Sequence, residues 1–261
     1  MHAQAQSAIG RSPIVELRQY TLHPGRRDEL VDLFDSRFVE SQEALGMDII
    51  GQFRDLDAPE RFVWLRGFQT MDERRRSLTD FYSGPIWRAH RDAANATMVD
   101  CDDVLLLRPA RPGSGFKLDG SVRRALGEVG CGIVEATVLN LEPGLDADEV
   151  LVRFDEVVLP AVAASGGTML AYFLTEPSEN TFPALPVREG ESVLVWFAGF
   201  AHGKSEEHVW RSARAVTRAV RALEPVGLPQ ALRLAPSSRS LLAGDSPACR
   251  ATANRAGRSA A

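Results

Sequence analysis

The chain repeats one pattern at a long interval. The segment IVELRQYTLHPG at residues 14–25 aligns with IVEATVLNLEPG at residues 133–144, at a constant shift of 119 residues. Further along, WLRGF at residues 64–68 aligns with WFAGF at residues 196–200, at a shift of 132 residues. Each copy is roughly 100 residues long, which is the size of a small domain. The sequence therefore predicts a tandem duplication.

The difference between the two shifts places an insertion in the second copy. It is the proline-rich segment EPSENTFPALPVREGE, residues 176–191, which we call the insertion loop. The first copy has only DLDAPE at the corresponding turn, residues 55–60. Both segments are predicted to connect the two strands of a hairpin.

Both copies have the same predicted order of elements. An opening strand ends in Pro-Gly, a turn signal, and leads into an amphipathic helix. Leu30 and Phe34 begin the apolar stripe of this helix in the first copy, and Val150 and Phe154 begin it in the second. A hairpin, a helical segment and a last strand follow. The order is βαββαβ, the split-βαβ unit of an α+β, ferredoxin-like fold.

A single unit of this kind leaves one face of its sheet uncovered. Two tandem units, predicted at residues 13–109 and 132–236, can cover each other sheet to sheet and so form an α/β barrel within one chain. Residues 110–131 open with RPARPGSG and are predicted to be a linker. Residues 1–12 and 237–261 lack apolar periodicity and are predicted to be disordered.

The charge distribution argues against a nucleic-acid partner. The net charge is -5, and Lys and Arg are interspersed with Asp and Glu, so there is no basic stripe to follow a phosphate backbone. The one run of arginines, Arg74 to Arg76, follows Asp72 and Glu73 on a predicted helix. We interpret this run as a solvated helix face.

The cysteines and the apolar runs indicate the compartment. Cys101, Cys131 and Cys249 lack metal-ligand spacing, and their odd number is typical of a reducing environment. Residues 1–12 lack the apolar core of a signal peptide, and no run is long enough to span a membrane. We expect a cytoplasmic protein. Motifs typical of serine hydrolases, P-loop NTPases and Rossmann enzymes are absent from the sequence.

Three segments together resemble the NIPSNAP family of the dimeric α/β barrel superfamily. They are VELRQYTLHPG, FVWLRGFQTMDER and GPIWRAHRDAANATMVDCDDVLLLRP. The resemblance is strong over residues 14–109 and loose over residues 132–236. Relatives with this barrel include cofactor-free monooxygenases of aromatic substrates, haem-degrading enzymes and ligand-binding modules, and bacterial NIPSNAP members largely lack an assigned reaction. The fold alone does not choose among these activities.

Differences between the copies indicate candidate functional residues. WRAHRDAANA aligns with WRSARAVTRA at a shift of 123 residues, so Trp87 has a counterpart, whereas His90 and Asn95 do not. Helical spacing groups His90 with Ile86, Ala93 and Thr97 on a face directed toward the sheet. A neutral imidazole there can act as a general acid or base. The alternatives are a core histidine bonded to the backbone and a haem ligand.

Alternation on the first strand places Glu16, Arg18 and Tyr20 on one covered face, where polar groups need partners. These residues form either a buried network that closes the barrel or part of a ligand site. The predicted substrate-binding residues are Arg18, Tyr20, Trp64, Phe81, Tyr82, Trp87 and Asn95.

Two functions follow from these residues. The first is binding, and chemical transformation with His90 as acid/base, of a small aromatic or polyketide-like molecule without a metal or nucleotide cofactor. The second is a non-catalytic ligand-binding or assembly module, in which the second copy only completes the barrel. A haem-binding barrel is the third and least favoured reading, and self-association into a homo-oligomer is left open.

Overall fold

A closed antiparallel barrel lies at the centre of the computed structural model, which describes residues 12–118, 123–128, 132–201, 216 and 218–244. Its eight strands, all within these ranges, are β1 Ile14–Leu22, β2 Asp48–Asp55, β3 Arg61–Phe68, β4 Met98–Pro109, β5 Ile133–Asn140, β6 Thr168–Thr175, β7 Val193–Phe200 and β8 Gln230–Pro236. Their order around the barrel is β1-β3-β2-β8-β5-β7-β6-β4. The predicted fold class is confirmed.

The two halves pair their strands in the same register. Glu16 lies opposite Arg66 in the β1–β3 pair, and Glu135 lies opposite Ala198 in the β5–β7 pair. The halves join where β2 pairs with β8 and where β4 pairs with β6. Because both seams are formed within one chain, the barrel closes without a second copy of the protein.

Helices cover the outside of the barrel. They are α1 Arg27–Leu33, α2 Val39–Glu43, α3 Met71–Ser83, α4 Pro85–Asn95 and α5 Ala147–Ala164. Thr70 caps α3, since its side chain accepts a hydrogen bond from the backbone N–H of Glu73 at 3.1 Å. A π-helical turn, Phe34–Phe38, separates α1 from α2 where the periodicity predicts one continuous helix. Such turns occur frequently at functional sites.

The barrel interior is filled by apolar side chains, and two of them come from outside the strands. Phe116 and Leu242 are each 4% exposed and belong to the same interior cluster as Val15 and Leu17. The backbone N–H of Leu242 also donates to the carbonyl of Ile50 at 3.0 Å. These side chains cover apolar surface that would otherwise meet water.

Parts of residues 110–118 and 237–244, where the sequence predicts a linker and a disordered tail, therefore pack against the barrel. The few large apolar residues of these segments, Phe116 and Leu118 in one and Leu241 and Leu242 in the other, show no helix or strand periodicity, so the sequence pattern gave no sign that the segments pack. Residues 119–122 and 129–131 of the predicted linker, residues 1–11 and residues 245–261 lie outside the described residues.

Candidate functional site

The outward face of β1 and β3 carries polar and aromatic side chains beneath the helices of the first half. Glu16, Arg18 and Tyr20 lie on this face of β1, with Trp64 and Arg66 beside them on β3. Their neighbours at alternate positions point into the barrel interior instead. Glu16, Arg18 and Arg66 are 0% exposed. The alternation of side-chain direction predicted for β1 is confirmed. As a result, charged side chains lie fully buried between the sheet and the helices.

One carboxylate in this layer binds three arginines. Oε2 of Glu16 accepts hydrogen bonds from Nη1 of Arg18 at 2.8 Å and from Nε of Arg66 at 2.7 Å. Its Oε1 accepts from Nε of Arg74, on α3, at 2.6 Å. All four side chains are 0% exposed. We call these four residues the arginine cluster.

Arg74 corrects the interpretation of its run as a solvated face. Arg75 and Arg76 are exposed and pair with acidic residues three positions earlier, but Arg74 is completely buried. It shares the buried face of α3 with Leu78 and Phe81, at positions i, i+4 and i+7. The spacing of Arg74 from the apolar residues Leu78 and Phe81 can be read from the sequence, and this spacing could have identified Arg74 as buried.

The cluster sets the protonation of its members. Burial alone would raise the pKa of Glu16, but the charges of Arg66, Arg18 and Arg74 outweigh it and hold the pKa far below its ordinary value. Burial raises the pKa of Tyr20, so its hydroxyl stays protonated near neutral pH. That hydroxyl accepts from Nε of Arg18 at 3.0 Å and keeps its own proton to donate.

A small cavity adjoins the cluster between the helices and the sheet. Its volume is about 30 Å³. It is lined by Tyr20, Leu30, Phe34, Phe38, Gln42, Trp64, Phe81, Tyr82, Trp87, Ala94 and Met98. We call it the first-half cavity. Five of the predicted substrate-binding residues therefore line one space, and they are Tyr20, Trp64, Phe81, Tyr82 and Trp87.

The other predicted site residues lie around or outside this cavity. Arg18 contacts its wall through Tyr20 and through Trp64, whose ring centroid is 5.5 Å from the guanidinium carbon. His90 is partly exposed and lies beside Phe38, with the ring centroids 6.3 Å apart. Asn95 is exposed. The structure brings the aromatic residues together but leaves His90 and Asn95 out of the lining.

The face assigned to α4 from helical spacing needs correction. Ile86 and Ala93, predicted to share the inward face with His90, are exposed, whereas Thr97, the fourth residue of that predicted face, is buried. Ala94 is also buried and Trp87 is partly buried. The inward face is centred on Trp87 and Ala94, at i and i+7, because the indole packs against Phe81 and Tyr82. His90 therefore lies at the edge of the buried face.

We expect His90→Ala to lower the free energy of unfolding by about 1 kcal/mol or less, because the imidazole is only partly buried. Urea denaturation measures this quantity, and Arg91→Ala on the exposed side of α4 is the matched control. A loss of several kcal/mol for His90→Ala alone would show that the residue is part of the core.

The insertion loop crosses from the second half onto the first. Asn180 and Thr181 accept hydrogen bonds from Nη1 of Arg74, at 2.9 and 3.2 Å. Phe182 stacks on Tyr82, with centroids 5.9 Å apart and planes at 23°. The segment that makes the second half longer therefore covers the arginine cluster and one wall of the first-half cavity.

Two larger grooves lie on the surface. One, of about 490 Å³, runs between the insertion loop and β6, and its Arg188 is already paired with Asp103 and Glu191. The other, of about 620 Å³, lies between the π-helical turn and β8, with Asp35 and Pro236 in its lining. Neither groove is lined by a predicted site residue. The first-half cavity is therefore the candidate site, since the buried charges and the aromatic walls meet there.

Three findings apply to the described residues only. No group of three or more His, Cys, Asp or Glu side chains among them is placed to hold a metal ion. None of their helices combines the length and the apolar character that crossing a bilayer requires. Cys101 is a free thiol and partly buried, whereas Cys131 and Cys249 fall outside the described ranges.

The architecture defines an α/β barrel protein made of two ferredoxin-like halves. Residues 15–111 match the model of the NIPSNAP family, so the first half of the chain is a NIPSNAP domain and the resemblance seen in its motifs is confirmed. The match ends before the second half. It includes Glu16, Arg18, Arg66 and Arg74.

Several solved structures are similar to the chain, and the first of the three described here supports the fold. A protein from Lactobacillus acidophilus NCFM described as a putative monooxygenase is 13% identical, with 90% of this chain and 100% of that chain covered and a TM-score of 0.50. An anthrone oxidase-like protein is 13% identical, with 94% and 99% covered and a TM-score of 0.47. A NIPSNAP-like domain protein from Burkholderia xenovorans is 24% identical, with 40% and 87% covered and a TM-score of 0.34. No curated protein matches the chain.

Proposed function

We propose that the first half of this protein binds a small aromatic molecule between its helices and its sheet. The observation that carries the proposal is the first-half cavity, whose wall contains six aromatic side chains besides Tyr20. Binding sites for small molecules are typically apolar and aromatic, with a few polar groups that fix orientation. Here the polar groups are Tyr20, Gln42 and the arginines behind them.

Binding requires the cavity to open. A volume of about 30 Å³ is enough for a water molecule or two but not for an aromatic ring. The helical elements that line it include α3, α4 and the π-helical turn at residues 34–38, and the insertion loop contacts α3 from outside. The insertion loop reaches the cavity wall from another part of the barrel, through the stacking of Phe182 on Tyr82. Displacing this contact enlarges the cavity without disturbing a strand of the barrel.

The polar groups at the cavity support binding more directly than catalysis. Tyr20 is a protonated hydroxyl at the wall and can donate a hydrogen bond to an oxygen of the ligand. His90 lies outside the lining, so its role as an acid/base stays a prediction that needs α4 to shift when the ligand enters. No step of the proposed binding uses a metal or a nucleotide.

A non-catalytic assembly module is the second candidate. The small volume of the first-half cavity and the filled barrel interior favour it, because a chain that only builds a barrel needs no internal space. In that case the arginine cluster would serve only to attach α3 to the sheet.

Filling the cavity separates the two candidates. We expect Ala94→Met to weaken the binding of an aromatic ligand at least tenfold, because Ala94 lines the cavity and is 1% exposed. Quenching of Trp64 and Trp87 fluorescence by a panel of naphthols and phenols measures the binding. The matched control is Ala93→Met, one position away on the exposed side of the same helix.

Overpacking lowers stability by roughly 1–3 kcal/mol, so urea denaturation must accompany the binding measurement. Equal affinities for the wild type and for both variants would place binding elsewhere. No binding by the wild type across the panel would reject the ligand-binding proposal and favour the assembly module.

A further inference from the structure

The arginine cluster carries more positive charge than its carboxylate neutralises. Three guanidinium groups surround the single carboxylate of Glu16, which leaves a net charge of +2 on four fully buried side chains. Among the described residues, Glu16 is the only acidic side chain that these arginines bind. Burying unpaired charge is costly, so a cluster of this composition is suited to an additional anion.

Each of the three guanidinium groups also has a donor without a partner. Nη2 of Arg18, Nη2 of Arg66 and Nη2 of Arg74 are buried and bond to no atom of the described residues. Nε1 of Trp64 is also buried without a hydrogen-bond partner among the described residues. Buried polar groups are normally hydrogen-bonded, and each exception calls for an explanation. All three arginines bind one carboxylate, so the three free amino groups belong to a single cluster.

The cluster and the first-half cavity share walls. Tyr20 lines the cavity and bonds to Arg18, and Gln42 lines the cavity and accepts from Nη1 of Arg66 at 3.2 Å. The indole of Trp64 lies between them, with the guanidinium carbon of Arg66 4.9 Å from its ring centroid. A ligand in the cavity would therefore have its aromatic part against the rings and one end against Tyr20 and Gln42, with the arginines directly behind these two side chains.

The barrel does not need these arginines for its construction. The second half has Thr137 where the first has Arg18, and Ala198 where the first has Arg66, in the same strand register. Trp64 and Trp196 are at matching positions of that register. The aromatic anchor is thus common to both halves, whereas, at the strand positions that the structure describes, the arginines belong to the first half alone.

We propose that the arginine cluster is an anion subsite that receives the carboxylate of a small aromatic acid. The proposal rests on the ligand binding proposed above and specifies the chemical class of the ligand. A guanidinium presents parallel N–H donors that match the two oxygens of a planar carboxylate. Arg74 is itself positioned by Asn180 and Thr181, so the insertion loop completes the subsite.

The experiment compares each acid with its amide, which has nearly the same shape but no charge. Titration calorimetry of the full chain would use benzoate against benzamide and 2-naphthoate against 2-naphthamide. We expect each acid to bind at least tenfold more tightly than its amide. Inorganic phosphate and chloride are titrated separately, and phosphate binding as tight as that of the aromatic acids would overturn the assignment to a carboxylate.

Variants of the arginine run provide a matched pair. Arg74→Gln should lower the affinity for the acid at least tenfold and leave the affinity for the amide unchanged, whereas Arg75→Gln, at the exposed neighbour, should change neither. If Arg74→Gln does not fold, Arg74→Lys replaces it. Lysine keeps the positive charge but lacks the paired N–H donors of a guanidinium, so we expect a loss of acid affinity smaller than tenfold. Unchanged acid affinity in a folded Arg74 variant would overturn the proposal.

The outcomes distinguish this subsite from the proposed function. Binding of the amides without any gain for the acids rejects the anion subsite and leaves the aromatic pocket standing. An absence of binding for acids, amides and neutral aromatic compounds alike rejects the pocket and the subsite together.

Discussion

Replacing Glu16 by glutamine is expected to lower the free energy of unfolding by about 3–5 kcal/mol, because it leaves three buried guanidinium groups without their anion. The amide keeps the shape of the side chain but has one acceptor oxygen instead of two, so the loss reports on the charge and on one lost acceptor rather than on packing. Urea denaturation monitored by far-ultraviolet circular dichroism measures it.

Glu135 provides the control, since it holds the same register position in the second half. Burial raises the pKa of Glu135, whereas the arginines lower that of Glu16. We therefore expect Glu135→Gln to leave the free energy of unfolding at neutral pH unchanged or slightly higher. Equal losses for both variants would contradict the electrostatic role given to the arginine cluster.

The dependence of the free energy of unfolding on pH provides a second test of the charge on Glu16. Because folding lowers the pKa of Glu16, the unfolded chain takes up its proton first, near the ordinary value of 4.5. The stabilisation is complete above that pH and declines as the pH falls further. Burial raises the pKa values of Asp35 and Asp48, so protonation of these two groups favours the folded state as the pH falls. This opposite contribution is the same in the wild type and in Glu16→Gln. The wild type should thus lose stability more steeply below pH 4.5 than Glu16→Gln does.

Truncating Phe116 to alanine is expected to cost about 3–5 kcal/mol. This side chain is 4% exposed and packs in the barrel interior against Phe173 and Phe197, with both centroids 5.0 Å away. Its removal leaves a cavity that strands on all sides prevent from collapsing. Chemical denaturation measures the loss.

Phe182→Ala is the control for the truncation, because Phe182 belongs to the insertion loop and is only partly buried. We expect it to cost clearly less than the change at Phe116. A negligible effect of Phe116→Ala would mean that the segment between the halves is a linker after all.

The fold could be predicted from the sequence because its signals are local and occur twice. The alternation on β1, the apolar stripe that begins at Leu30, and the repeated strand motifs each depend on a few neighbouring residues. Phe116 and Leu242 could not be predicted in the same way, since their burial depends on the closure of a barrel whose strands are distant in sequence.

The candidate site was predicted in part for the same reason. Trp64, Phe81 and Trp87 share a cavity because each lies in phase with the apolar face of its own strand or helix. The contribution of Asn180 and Thr181 could not be predicted, because it depends on where a long loop crosses the barrel. Arg74 was missed although its phase was visible, since a charged run on a helix is usually exposed.

The closure of the barrel within one chain has a consequence for how such proteins diverge. In a barrel built by two identical subunits, every substitution appears twice, related by the twofold axis. Here Arg18 and Arg66 are present once, and a loop from the opposite half bonds to Arg74 once. Covalent fusion thus lets one half keep its charged residues while the other supplies the cover, an asymmetry that a homodimer encoded by a single shorter gene cannot acquire.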